Sequence, residues 1–173
     1  MIATGTVRKI DELGRIVIPK SVREQLRIGS RQQIEMYVNE RKEITLKKYQ
    51  PLREEQTIAR HFVASLAKAT GFGVCVLDDD GMIVGIHENG EELNETALHE
   101  DVQSFLASSH LSIPGHSISI TRDITAEHTL WMPLLIDASS IGTLLLFSST
   151  HGFTNEDEKL AKVFSSYLNK QLT

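Results

Sequence analysis

The chain has 173 residues, of which 40% are hydrophobic and 24% charged, values of a globular protein that exclude wholesale disorder. No apolar run approaches the ~20 residues that cross a bilayer, and no signal-type apolar core opens the chain, so it reads as cytoplasmic with no membrane partner. The single cysteine, Cys75, excludes an intrachain disulfide framework, and within Gly73-Val74-Cys75-Val76-Leu77 it reads as a buried, inert thiol.

The net charge of −5 averages two opposite parts. Residues 1–50 carry eleven Lys and Arg against six Asp and Glu, a balance of +5; residues 51–173 carry seven against seventeen, a balance of −10. Such asymmetry points to a basic surface aimed at a polyanion, carried beside an acidic domain that does not touch it.

Taken in chain order, residues 3–9 predict a strand, Asp11-Glu12-Leu13-Gly14 a turn in which Gly14 is free to take positive φ, and Arg15-Ile16-Val17-Ile18 a second strand stopped by Pro19. Residues 20–27 predict a short helix with Val22 and Leu26 as i,i+4 neighbours and Gly29 as its stop. Ile34, Met36 and Val38 alternate onto one face, Asn39 to Lys42 turns the chain, and Ile44 and Leu46 return on the same apolar face, as in a hairpin. A unit of about fifty residues with no disulfide and no metal cluster buries too little apolar surface to be comfortable alone. Dimerisation, by exchange of hairpins, is the physical remedy, and it sets two basic patches side by side.

Tyr49-Gln50-Pro51-Leu52 marks a boundary, giving domains at 1–50 and 56–173 with 51–55 as linker and helix start. Pro51 suits the first turn of a helix that runs to about Ala69, with Ile58, Phe62, Leu66 and Ala69 on one stripe. Strands follow at about 74–78 and 82–87 around an Asp79-Asp80-Gly81 turn, then a helix over 94–108 with Leu98, Val102, Phe105 and Leu106 on its apolar face. Pro114-Gly115 turns the chain. Strands at 116–120, 130–136 and 141–148 lead to a helix capped by Thr154 and Asp157, with Leu160, Val163, Phe164, Tyr167 and Leu168 as its stripe. The plan is α+β and mostly antiparallel. The first and last helices of this domain suit either a four-helix bundle with another subunit, through Ile58, Phe62, Leu66, Leu160, Phe164 and Tyr167, or simple cover for their own sheet.

Catalytic chemistry finds little support. No phosphate-binding glycine loop and no Gly-x-Ser-x-Gly elbow occurs. The seven histidines, His61, His87, His99, His110, His116, His128 and His151, show no pair at ligand spacing, and Asp78-Asp79-Asp80-Gly81 lacks the extended oxygen pattern of a calcium loop and reads as a solvated turn. Neither a metal nor a cofactor is implied, and the chain is not read as an enzyme. The basic segment is different. Arg8, Lys9, Arg15, Lys20 and Arg23 fall on strand ends, a turn and a helix start, where they suit phosphates and guanine edges of double-stranded DNA. The alternative is a solvated face, salt-bridged through Asp11, Glu12 and Glu24.

The run Gly14-Arg15-Ile16-Val17-Ile18-Pro19-Lys20, preceded by Val7-Arg8-Lys9-Ile10-Asp11-Glu12-Leu13 and closed by Ile44-Thr45-Leu46-Lys47-Lys48-Tyr49, resembles the AbrB/SpoVT family of transition-state regulators across about residues 1–50. The resemblance implies a swapped-hairpin β-barrel dimer that binds DNA through Arg8, Arg15 and Arg23, with Lys9 in support. The position after Arg23, often arginine in that family, is Glu24 here, which removes a cation from the DNA face unless Glu24 serves to cap the helix. The whole plan is similar to family members whose second domain is a GAF domain. That implies a spore-forming Gram-positive source, a tetramer of DNA-binding dimers joined through GAF helices, and control of sporulation genes as activator or repressor. A GAF-like domain would hold an unidentified small-molecule ligand near residues 98–118, or serve oligomerisation alone. Motifs for cyclic nucleotides or chromophores are not recognisable. An antitoxin sharing the N-terminal fold is the alternative, although antitoxins usually end in an extended tail where this chain has a patterned domain.

Overall fold

The computed structural model describes residues 7–26, 28–29, 32–78, 80–93, 98–108, 117–136 and 139–172. Parts of several predicted features lie outside these residues: the start of the 3–9 strand, Asp79, residues 94–97 of the middle helix, His110, Pro114-Gly115 and His116. The chain divides into two compact units, Met1–Tyr49 and Gln50–Thr173.

The first unit contains a six-residue helix, α1 (Lys20–Gln25), and an antiparallel hairpin of β1 (Ile34–Val38) and β2 (Ile44–Lys48). Met36 pairs with Leu46 and Val38 with Ile44, so the alternation read from sequence sets the register. The other face is polar: the Tyr37 hydroxyl donates to Glu35 Oε2 at 2.7 Å, and Lys47 Nζ lies 4.8 Å from the centre of the Tyr37 ring. α1 ends at Gln25, before the Gly29 stop. The strands expected at 3–9 and 15–18 are not formed over their described residues. A strand needs a hydrogen-bonding neighbour, and among the described residues no strand pairs with these arms.

The second unit is a three-layer structure. Its sheet has the order β5-β4-β3-β9-β8, with every pairing antiparallel. The strands are β3 (Gly73–Asp78), β4 (Gly81–Ile86), β5 (Glu92–Leu93), β8 (His128–Ile136) and β9 (Ser139–Ser148). Period-two alternation feeds two cores. Val74, Val76, Leu144, Leu146, Leu130, Met132 and Leu134 face α3 (Gln56–Thr70) and α5 (Asn155–Gln171). Cys75, Leu77, Leu145, Phe147 and Trp131 face α4 (Glu100–Ser108) and the small hairpin β6 (Ile118–Ser119) and β7 (Thr125–Ala126). Cys75 is completely buried, and burial pushes its thiol up to about 12, which makes it inert. Pro133 sits in β8, an edge strand, where its missing N–H costs no ladder bond. Thr154 and Asp157 form the capping box that their spacing predicts.

The stripe read for α3 and α5 is divided by this packing. Phe62 and Leu66 are buried against their own sheet, and the Phe62 and Phe164 rings lie 5.6 Å apart where the two helices meet. Ile58, Leu160 and Phe164 are partly buried, while Val163 and Tyr167 are exposed. Ala69, read into the same stripe, is exposed.

The helix expected from Pro51 breaks at Glu55 into α2 (Pro51–Glu54) and α3. Tertiary contacts fix α2 separately. Leu52 is buried beside β9, where a Cβ on Gly142 would come 2.6 Å from its Cδ1. Arg53 is held by a bidentate pair to Asp78, Nε to Oδ2 at 2.6 Å and Nη2 to Oδ1 at 2.7 Å. Gln50 Nε2 also donates to Asp80 Oδ2 at 2.7 Å. Asp78, expected in a solvated turn, is therefore buried and paired, and it accepts the Asp80 N–H at 2.9 Å. Replacing Arg53 with alanine strands a buried carboxylate, and the half-exposed arginine moderates the loss to about 2 kcal/mol. Chemical denaturation will show the lowered midpoint; an unchanged midpoint would mean that water replaces the guanidinium fully.

Opposite α2, Glu88 fastens the β4–β5 turn to the end of β9. Its Oε1 accepts from the Ser148 hydroxyl at 2.8 Å and its Oε2 from the Ser149 hydroxyl at 2.8 Å. Burial raises its pKa, but bonds from Ser148 and Ser149 and the nearby His87 outweigh burial and hold the carboxyl below its ordinary value. The latch therefore stabilises the fold above the unfolded-state pKa and is lost as pH falls through the folded value.

Candidate nucleic-acid interface

The basic segment is organised by one tight turn. Asp11 N–H donates to the Arg15 carbonyl at 3.0 Å, and Gly14 N–H donates to the Asp11 carbonyl at 2.9 Å with Gly14 at φ +77°. This is a three-residue hairpin loop with a left-handed residue before closure. The Asp11 carboxylate completes it. Oδ1 accepts the N–H groups of Leu13 at 3.0 Å and Arg15 at 2.8 Å, and Oδ2 accepts Arg15 Nε at 2.7 Å. The Arg15 backbone bond first, its guanidinium next and the Leu13 N–H last outweigh a small burial effect, so Asp11 stays below the usual carboxylate range and ionised.

Arg8 and Lys9 precede this turn, Arg15 follows it, Lys20 opens α1 and Arg23 lies in its last turn. Arg8, Lys9, Arg15 and Lys20 are exposed and Arg23 is half-buried. Two of the five cations meet anions of their own chain: Arg15 with Asp11, and Lys20 with Glu24 at 3.6 Å. The salt-bridged alternative is thus realised in part. Exposed pairs of this kind are weak and exchange readily with other anions. Glu24 does not cap the helix. Pro19 is the N-cap and offers no side-chain bond, while Glu24 sits in the last turn, against the helix dipole, and neutralises Lys20. Asp11 is legible in the sequence as a turn residue and an anion but not as the cap; an Asx residue three positions before a turn glycine is the local signal for that role.

The first unit also leaves many large apolar side chains exposed. Among the described residues, ten of the thirteen exposed large hydrophobics belong to the first unit, including Val7 at 90%, Leu13 at 75%, Val17 at 73% and Val38 at 68% exposure, and every buried core residue belongs to the second. No His, Cys, Asp or Glu cluster among the described residues could hold a metal ion, and no helix among them is long and apolar enough to cross a membrane.

Comparison with known proteins places this arrangement. The family described as "Stage V sporulation protein T C-terminal, transcription factor" matches residues 54–173. The chain belongs to that family. A second family, "Antidote-toxin recognition MazE, bacterial antitoxin", matches residues 7–54. Stage V sporulation protein T of Bacillus subtilis (strain 168) is 28% identical over 176 residues, covering 99% of both chains. The transition state regulatory protein AbrB of the same strain is 53% identical over 51 residues, covering 30% of this chain and 52% of AbrB. The resemblance read from residues 1–50 is borne out, and the chain is a transcription regulator of the AbrB type, as its relatives are, and not an enzyme.

Proposed function

We propose that the chain acts in the cytoplasm as a sequence-specific DNA-binding regulator of sporulation or transition-state genes, as activator or repressor, and that its DNA-binding unit is completed by a second copy. The observation that carries this is the first unit's open apolar surface: it has no buried hydrophobic side chain among its described residues while it presents the basic turn. The arms flanking Gly14 and the face of Met36, Val38, Ile44 and Leu46 exchange with those of the partner as swapped hairpins. This closes a small barrel and brings two copies of Arg8, Lys9, Arg15, Lys20 and Arg23 together on one face.

The second unit, with its antiparallel sheet between an α3–α5 pair and α4, is GAF-like. It joins dimers into a tetramer through the outer side of its helices, where Val163 and Tyr167 are exposed. A small ligand, where one binds, enters between the sheet and α4, beside the Phe105 and Trp131 rings that stack 4.0 Å apart. The match of residues 7–54 to an antitoxin family favours a second role, capture of a protein partner by the N-terminal unit. The folded domain that follows it stands where an antitoxin's extended tail would be.

The test joins mass in solution with binding of the intact chain to a random-sequence duplex of about 30 base pairs across a salt series. Expected are an even-numbered assembly and an affinity that falls steeply with salt, with a log–log slope of about −0.9 for each phosphate contacted. A monomer, or binding indifferent to salt, would overturn the proposal.

A further inference from the structure

We propose that Asp11 is a positioning residue for DNA recognition: its carboxylate fixes the Arg15 guanidinium on the turn, so that the arginine meets DNA already oriented. This rests on the DNA-binding role proposed above and adds to it a residue of the wrong charge to touch DNA.

The chain supplies its own control for what the turn requires. Residues 39–43 repeat the geometry of residues 11–15. Asn39 N–H donates to the Glu43 carbonyl at 3.2 Å, Lys42 N–H donates to the Asn39 carbonyl at 2.9 Å, and Lys42 takes φ +60° where Gly14 takes +77°. Asn39 Oδ1 accepts the N–H groups of Arg41 and Glu43, both at 3.0 Å, just as Asp11 Oδ1 accepts those of Leu13 and Arg15. A third loop, residues 87–91, closes the same way with Gly90 at φ +86° and with His87 Nδ1 accepting the Asn89 N–H at 3.2 Å. A neutral amide oxygen, Asn39 Oδ1, therefore suffices to cap this turn, and in the third loop His87 Nδ1 and Asn89 Oδ1 divide the two N–H groups between them. The negative charge at position 11 is not needed for it.

What the carboxylate adds is its second oxygen. Oδ2 takes Arg15 Nε at 2.7 Å. The corresponding atom of Asn39 is an amide nitrogen, and it donates to Glu43 Oε2 at 2.6 Å with the polarity reversed. Turns 11–15 and 39–43 thus couple the first side chain to the fifth, and with arginine as the fifth the second atom of the first side chain must be an acceptor, which Asp supplies and the Asn amide nitrogen does not. The bond engages Nε alone, which leaves the Nη1–Nη2 fork to reach phosphates and guanine, and the Arg15 side chain remains 71% exposed. Holding a rotamer-rich side chain before contact removes ordering cost from the binding step, worth about three- to tenfold per side chain. A carboxylate on a DNA-facing turn also repels phosphate, so Asp11 weakens indiscriminate binding while it favours the oriented contact.

Simple charge and positioning predict opposite results for Asp11→Asn. The duplex is one enriched from a random pool by the unsubstituted full-length protein, compared with a random-sequence duplex of equal length. Asn keeps the backbone caps, as Asn39 does, and loses the hold on Nε. The expected result is a ratio of selected to random affinity lowered by about tenfold or more for a dimer, with random-sequence binding unchanged or tighter. Arg15→Lys, which keeps the charge and every Asp11 backbone bond but has neither the Nε that Asp11 holds nor the Nη fork, lowers the same ratio. Asp11→Asn added to it lowers the ratio no further, and this arm stands even where Asp11→Asn alone is poorly folded. If Arg15→Lys lowers the ratio and Asp11→Asn in folded protein leaves it intact, or if the two losses simply add, Asp11 is not a positioning residue and the DNA face stands. If Arg15→Lys and Arg15→Ala both leave binding to the selected duplex unchanged, the DNA face itself is misplaced and the proposal falls with it.

Discussion

Leu66→Ala is expected to lower the stability of the C-terminal unit by about 3 kcal/mol, a drop of roughly 10 °C in its melting temperature. Leu66 is fully buried between α3 and the sheet, in one cluster with Phe62, Val63, Val84 and Leu146. Truncation removes its transfer free energy and leaves a cavity that rigid strands cannot fill. Tyr167→Ala and Val163→Ala should behave in the opposite way. These side chains are 58% and 65% exposed, so each costs the isolated fold no more than about 0.5 kcal/mol. If dimers join through α5, the pair of substitutions halves the mass in solution without shifting the melting curve of the second unit. The helix geometry accounts for the difference. Ala161, Ser165 and Leu168 recur on the buried side of α5, continued by its C-cap Leu172, and Val163 and Tyr167 lie on the side turned away from it. Sedimentation beside thermal melting separates the cases: loss of assembly in Leu66→Ala at temperatures where the unit remains folded would tie the contact to α3 and its core, and unchanged mass in the Val163/Tyr167 variant would remove α5 from the interface.

This division of one stripe marks how far periodicity reaches. Apolar recurrence located both helices and the strands β3, β4, β8 and β9, because a buried strand or helix face writes its period into consecutive residues. It could not say how wide the covered face is, since that depends on where the neighbouring helix lies. Phe62 is buried and Phe164 only partly, although both carry the same pattern. Two-residue strands such as β5 and β7 are too short to have a period. The break at Glu55 accompanies contacts distant in sequence, Leu52 against β9 and Arg53 with Asp78 across 25 residues, and an aspartate run gives no sign of which member will find an arginine. In the first unit, the turn at Gly14 and the β1–β2 register were legible because both are local. The flanking arms carry strand-type residues, yet among the described residues they pair with no strand and are mostly exposed, because a strand forms only where a neighbour completes its ladder. The cations were legible as a cluster. That Asp11 holds one of them and Glu24 another was not, because opposite charges nearby read equally well as contacts or as solvated neighbours.

Arg15→Ala should weaken binding to a selected duplex by about 100-fold at moderate salt while the protein stays folded. A well-placed arginine contact is worth about 1–3 kcal/mol, and a dimer uses it twice. The fold is insulated from the change. Arg15 is exposed, its own N–H still caps onto Asp11, and the positive-φ position belongs to Gly14. Surface truncations of this kind stay within about 0.5 kcal/mol. The loss has two sources that act in the same direction: a fork of donors disappears, and Asp11, no longer covered by the guanidinium, turns a full negative charge toward the phosphates. Lys20→Ala serves as the contrast. Lys20 already shares its charge with Glu24 across 3.6 Å, so its removal should cost far less affinity and flatten the salt dependence by no more than about one phosphate contact. A gel shift at moderate salt decides between them. Equal losses at the two positions would mean that the unit binds DNA by summed charge alone; an unchanged Arg15→Ala shift would take the turn off the DNA. The expected ranking, Arg15 well above Lys20, follows from their chemistry and not from pairing alone: both meet an acid of their own chain, but Asp11 engages only Nε of Arg15 and leaves its Nη donors for DNA, whereas Lys20 meets Glu24 through its one ammonium.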